Sequence, residues 1–244
     1  MNFLRKFFVV LLLFSLIVPV SLSNHIEAWS SDFYKIENSR VAPYNIIGKI
    51  QFNNGKYGTG FVIGRDTIVT NKHVARHLKD SSGTFKLAIN QFNRGKKMIA
   101  EFNLVSVKMA PNIHDDVAIM KVTPKTGKKQ VGEIVRPANI KKANFMDEAW
   151  FKTSANQLHI AGYPGGKPND TMWKSTGKIT GYGFNNNRIY KATIKSQPGA
   201  SGSPLFNQKN EIVGINSSNY GEEIRLSGGF LFKDDLYDFL IANR

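Results

Sequence analysis

The 244-residue chain contains no cysteine, which excludes disulfides, thiol catalysis and cysteine-ligated zinc and leaves stability to packing alone. It also lacks an H-E-x-x-H motif. His73 and His77 stand one helical turn apart without the glutamate that would make them a zinc pair, so no metal or other cofactor is implied. Acids are scarce: 18 Asp and Glu against 33 Lys and Arg give a formal charge of +15. The basic residues are scattered, with no interleaved basic–aromatic strip, so no specific nucleic-acid partner is expected. Such a charge suits an anionic cell-wall or host surface instead. No long helical period is visible, and 21 glycines and nine prolines punctuate short runs of strand character.

Met1–Ser23 reads as a secretory signal peptide. Arg5 and Lys6 supply its charged start, Phe7 to Val18 its apolar run, and Ser21 and Ser23 the small residues before a cut. The run is short for a full membrane span, so the expected location is extracellular. Residues 24–40 are polar and form either a pro-segment or an N-terminal arm.

From Val41 onward the pattern is β. Six candidate strands (Tyr44–Phe52, Gly58–Ile63, Thr67–Thr70, Thr84–Phe92, Met98–Met109 and Val117–Val122) precede a Lys-rich connector. Six more follow: Gln157–Tyr163, Met172–Tyr182, Arg188–Ile194, Pro204–Asn207, Glu211–Asn216 and Gly229–Phe232. In Met98–Met109 the apolar set runs 98, 100, 102, 104 and then shifts to 105, 107, 109, the mark of a bulge that bends a strand. Asp234–Ala242 reads as an amphipathic helix with Leu236, Phe239 and Leu240 on one face. The expected architecture is all-β: two antiparallel six-stranded β-barrels, residues 41–135 and 136–232, with a C-terminal helix over 233–244. Ligands lodge in clefts between such units.

Three segments carry chemistry. Gln197-Pro198-Gly199-Ala200-Ser201-Gly202-Ser203-Pro204 is a loop able to present a hydroxyl outward while gathering backbone N–H groups into a concavity. A serine attacking a carbonyl needs such donors for the oxygen that becomes negative, although Gly/Ser/Pro stretches are more often plain turns. Thr70-Asn71-Lys72-His73 puts a histidine at the end of a buried strand. His25, His114 and His159 have no comparable setting. His114-Asp115-Asp116-Val117 puts acids at the mouth of another strand. Asp116 is the better candidate to orient an imidazole, because alternation sends Asp115 the other way.

Together these segments resemble the chymotrypsin-fold serine proteases, in the branch of the staphylococcal glutamyl endopeptidases, Spl-type proteases and exfoliative toxins. The likeness runs through Ala42-Pro43-Tyr44-Asn45, Gly58-Thr59-Gly60-Phe61-Val62-Ile63-Gly64, Thr70-Asn71-Lys72-His73-Val74, Asp116-Val117-Ala118-Ile119, Gly162-Tyr163-Pro164-Gly165 and Ser201-Gly202-Ser203-Pro204. The resemblance implies a secreted, monomeric endopeptidase acting on protein or peptide substrates. Ser201 would be the nucleophile, His73 the base and Asp116 its orienter, with Gly199 and Ser201 as oxyanion donors. It also places Ser196 and Asn216 in the substrate pocket and gives Val213–Asn216 the backbone edge for the substrate. The chain departs from the family pattern twice. Ala200 stands where relatives carry Asn, and Asn216 where glutamyl endopeptidases carry His. Two other activities fit the same residues: a toxin-like protease with one narrow target, and a cationic binding protein with weakened catalysis.

Overall fold

The computed structural model describes residues 33–92, 95–183, 186–220 and 226–244. The expected signal segment Met1–Ser23 lies outside them. Residues 33–35 of the polar arm form a strand, β1 (Phe33–Lys35), which pairs antiparallel with Trp173–Ser175. Residues 33–36 are held in place by the buried Phe33 and Ile36.

The first lobe comprises β2 (Ile47–Phe52), β3 (Tyr57–Val62), β4 (Thr67–Thr70), β5 (Gly83–Leu87), β8 (Ala100–Met109) and β9 (Ala118–Pro124), closed as a barrel in the order β2-β3-β4-β9-β8-β5. Between β5 and β8 lies the small hairpin of β6 (Asn90–Phe92) and β7 (Gly95–Lys97). The expected long strand Thr84–Phe92 is interrupted because Ala88 adopts φ 51°, outside strand space. The bulge inferred from the phase change is present as a register shift between Leu104 and Ser106. Of its second apolar set, Val105 and Met109 are exposed and Val107 packs against the core from outside. Val105 is 54% exposed, and Val105, Val107 and Met109 line an outer cleft with Ala75 and Leu78.

The second lobe contains β10 (Leu158–Gly162), β11 (Trp173–Gly177), β12 (Ile179–Gly183), β13 (Asn186–Lys195), β14 (Pro204–Phe206), β15 (Ile212–Tyr220) and β16 (Leu226–Leu231). Among the described residues it is not joined into the closed six-stranded barrel expected. Its strands form one eight-stranded sheet, β1-β11-β10-β14-β15-β16-β13-β12. The reason is local. The chain breaks strand geometry at Lys178, splitting the expected strand Met172–Tyr182 into β11 and β12. Across that seam run Thr193 N–H to Lys178 O at 2.8 Å and Lys195 N–H to Ser175 Oγ at 3.0 Å rather than a regular ladder.

Four α-helices, α1 (Lys72–Ala75), α2 (Val131–Ile134), α3 (Glu148–Phe151) and α4 (Asp234–Ala242), and two 3-10 turns, Tyr44–Ile46 and Arg76–Lys79, complete the described fold. As expected, α4 buries Leu236, Phe239 and Leu240, and it carries Asp234 and Asp235 in its first turn, where they complement the helix dipole. One apolar cluster fills the barrel around Ile50, Phe61, Phe85 and Phe102 and continues through Tyr163 and Phe206 to Leu240. A second, around Leu158, Tyr190, Leu205 and Val213, lies within the other lobe. These cores hold rigid the strand ends from which the candidate side chains project.

Candidate active site

His73 is the second residue of α1, whose N-cap, the fully buried Asn71, directly follows the buried Thr70 that ends β4. Asp116 lies two residues before β9, the strand that pairs with β4 through Thr70 and Ala118. This pairing brings two residues 43 positions apart together. His73 Nδ1 meets Asp116 Oδ2 at 2.6 Å, and His73 N–H donates to Asp116 Oδ1 at 3.0 Å. An ionised carboxylate only accepts, so Nδ1 carries the proton and Nε2 is left with a lone pair. Asn71 Nδ2 donates to the Asp116 carbonyl at 2.7 Å, fixing the peptide behind the carboxylate.

Ser217 was not singled out from the sequence. Its hydroxyl donates to Asp116 Oδ2 at 2.5 Å, while its carbonyl accepts from Ser201 Oγ at 3.1 Å. A single residue of β15 therefore ties Asp116 and Ser201 together across the lobes. Burial pushes the Asp116 carboxyl up, but the hydrogen bond and charge of His73, with the Ser217 hydroxyl and the His73 N–H, outweigh it and hold it below its ordinary value. The imidazole stays accessible, its side chain 48% exposed against 25% for Asp116.

The loop around Ser201 is held by its carbonyls. Pro198 O accepts from Gly165 N–H at 2.6 Å. Ala200 O accepts from Ser203 N–H at 3.0 Å and from Asn216 Nδ2 at 2.9 Å. In a trans peptide the N–H points opposite the C=O, so these bonds aim the N–H groups of Gly199 and Ser201 away from the scaffold. Among the described residues neither has a backbone acceptor. Glycine is required twice here. Gly199 takes φ +91°, with the Tyr57 ring and Tyr163 O where a Cβ would stand; Gly202 takes φ +88°, and its Cβ would fall 1.9 Å from Thr59 O. Two further bonds dock the loop on the first lobe: Thr59 N–H to Ser201 O at 2.8 Å and Thr59 Oγ1–H to Gly199 O at 2.9 Å.

Ser196 and Asn216 are adjacent and buried. The Asn216 amide donates to Ser196 Oγ at 3.1 Å and to Ala200 O, and its Oδ1 accepts from Ser227 Oγ at 2.7 Å. Both N–H bonds of this amide are thus engaged within the protein. The backbone edge differs from expectation too. Val213–Asn216 is central, with Gly214 and Ile215 paired to β14 on one side and Gly214 to Asn216 paired to β16 on the other. Only beyond the end of β14, from Ser217 onward, does β15 have an edge that could take another strand. Among the described residues no His/Asp/Glu group is arranged to hold a metal ion.

A family model described as a trypsin-like peptidase domain matches residues 58–215. Glutamyl endopeptidases of Staphylococcus aureus strains MW2 and MRSA252 are 30% identical over 208 residues, covering 84% of this chain. The chain spans 59% and 54% of those relatives' own lengths, respectively. Among solved structures, a Glu endopeptidase in complex with MPD is similar at a TM-score of 0.69 and 24% identity, covering 86% of this chain and 95% of its own. A thermostable serine protease from an extremophilic microorganism follows at 0.64 and 15%, covering 82% and 98%. These likenesses establish the chymotrypsin-like fold of the described lobes.

Proposed function

The chain belongs to the trypsin-like peptidase domain family, and on that premise we propose that it is an exported serine endopeptidase working through Ser201, His73 and Asp116. The observation that carries this reading is Ser217, whose hydroxyl touches Asp116 while its carbonyl holds the Ser201 hydroxyl. For reaction, Ser201 Oγ leaves the Ser217 carbonyl by rotation about χ1 and turns to His73 Nε2, which takes its proton as Oγ attacks the scissile carbonyl. Asp116 keeps the ring in the tautomer that can accept and stabilises it once charged. The N–H groups of Gly199 and Ser201 meet the oxyanion, each worth about 3 kcal/mol of barrier in sites of this type. The imidazolium then returns the proton to the leaving amine, and water repeats the sequence on the acyl-enzyme.

The substrate strand adds to β15 from Ser217 onward. The resemblance assigns Ser196 and Asn216 to the pocket, where no histidine stands; with both Asn216 N–H bonds taken up by Ser196 and Ala200, they shape the pocket wall, and our reading is a polar residue, an amide or weakly acidic side chain, before the cut. Export rests on the Met1–Ser23 pattern, and the net charge of +13 left once Arg5 and Lys6 are removed with it would hold the enzyme at anionic surfaces. A fluorophosphonate probe should label the wild type and not Ser201→Ala; an unlabelled wild type would favour the cationic binding protein. Cleavage of a peptide library should show polar residues before the scissile bond. Exclusively aromatic or basic ones would reject the pocket assignment. Activity on one intact protein with none on short peptides would favour the narrow-target protease.

A further inference from the structure

Asp115 and Asp116 are neighbours in sequence with opposite surroundings. The chain turns so tightly here that Val117 N–H reaches back to Asp115 O at 2.8 Å. Asp116 faces His73, while Asp115 is buried at 1% exposure. Asp115 Oδ2 accepts from Arg188 Nη1 at 2.5 Å, and Arg188 belongs to β13 of the other lobe. The second arm of the same guanidinium, Nη2, meets Asp235 in the first turn of α4. The Arg188 side chain is only 11% exposed, and Asp115 Oδ1 is buried without a hydrogen-bond partner. Burial pushes the Asp115 carboxyl up, against the pull of the Arg188 charge. On its far side the loop is pinned by Lys72 Nζ, which donates to Asn112 O at 2.6 Å.

We propose that Arg188 is a positioning residue for the reaction: a latch between lobes that, through Asp115, sets the place of the Asp116 carboxylate beneath His73. This rests on the triad assignment above. A connecting loop by itself is mobile, whereas the two-point contact of Asp116 with His73 tolerates little displacement. A guanidinium fork is the side chain best suited to hold it, because its donors are rigid and always charged. Arg188 touches neither His73 nor Ser201 in any hydrogen bond of the described site, so its effect on rate passes through the loop.

The test compares Arg188→Met, Arg188→Lys, Asp115→Asn and the double variant Arg188→Met/Asp115→Asn by kcat, KM and Tm. Arg188→Met should lower kcat about ten- to a hundredfold, as a misplaced catalytic group does, with KM changed by less than about twofold. Its Tm should fall because a buried charge has lost its counter-ion. The double variant should regain Tm but not kcat, since the charge is gone and the tether is still missing. Asp115→Asn keeps an acceptor for Arg188 and should retain most of kcat, and Arg188→Lys should recover part of it. Should Arg188→Met not fold, the double variant carries the comparison. Wild-type kcat in Arg188→Met, or a double variant that regains kcat together with Tm, overturns the latch. Failure of the triad assignment looks different: the wild type itself would be unlabelled by a fluorophosphonate and inactive.

Discussion

At the residue scale, the site depends on a carboxylate holding its charge while largely enclosed. Asp116 accepts from His73 twice and from Ser217 once, which is why its folded-state value lies below that of an unfolded carboxyl. The stability this gives is present above the unfolded value, near pH 4, and is lost as pH falls through the depressed folded one. Ser217→Ala removes one donor. It should raise the Asp116 value, so that acid unfolding begins at higher pH, and lower kcat/KM about tenfold, roughly 1.4 kcal/mol of barrier. Paired acid titrations followed by circular dichroism, with kcat/KM at neutral pH, check both. Asp116 was legible from its place at the mouth of a strand. Ser217 was not, because a serine inside a Ser-Ser-Asn run has no local mark that distinguishes it from a surface hydroxyl.

At the element scale, β1 bears on what the polar arm is. Phe33 and Ile36 are buried, Ile36 N–H donates to Met172 O at 2.9 Å, and Asn90 Nδ2 donates to Ile36 O at 2.6 Å. Removing this segment would forfeit the burial of two large side chains, each worth about 1.5–3 kcal/mol, and uncover the edge of β11. If the chain is exported as proposed, its mature form should therefore begin before Phe33. N-terminal sequencing that finds a start at Val41 would show the arm to be a discarded pro-segment. A chain trimmed to Val41 should lose about 3–5 kcal/mol in urea unfolding. The bulge at Leu104–Ser106 was readable because a change of alternation is a local signal. The split at Lys178 was not, since Met172–Tyr182 keeps strand character throughout and only the partners on either side differ.

At the scale of the whole molecule, pH and salt act through charges set by the fold. His159 stacks on Phe206 at 4.8 Å and meets the edge of Tyr44 at 6.2 Å. Burial, with a smaller push from Lys174, lowers it to about 4. A lowered histidine favours the folded state fully above its unfolded value, near 6.5, and loses that contribution as pH falls from there towards about 4. The loss is on the order of 3–4 kcal/mol. His159→Phe keeps the stack and removes the titration, so its stability should be flatter across that window in urea unfolding at several pH values. The +15 charge predicts binding to anionic polymers that weakens at least about tenfold between roughly 50 and 500 mM salt. Salt-independent binding would point to a specific contact instead.

The order His73, Asp116, Ser201, the glycines around the serine and the β character of both lobes follow from the amino-acid sequence alone. Each is written in residues close together along the chain: a strand end, a tight turn, a period of two. Which polar atoms remain available was decided only in three dimensions. The engagement of the Asn216 amide by Ser196 and Ala200, the tie of Ser217 to Asp116 across 101 residues and the reach of Arg188 to Asp115 across 73 are choices of partner between distant segments. A hydrogen-bonding group shows in the sequence, but whether it is already satisfied depends on what folding brings within about 3 Å of it.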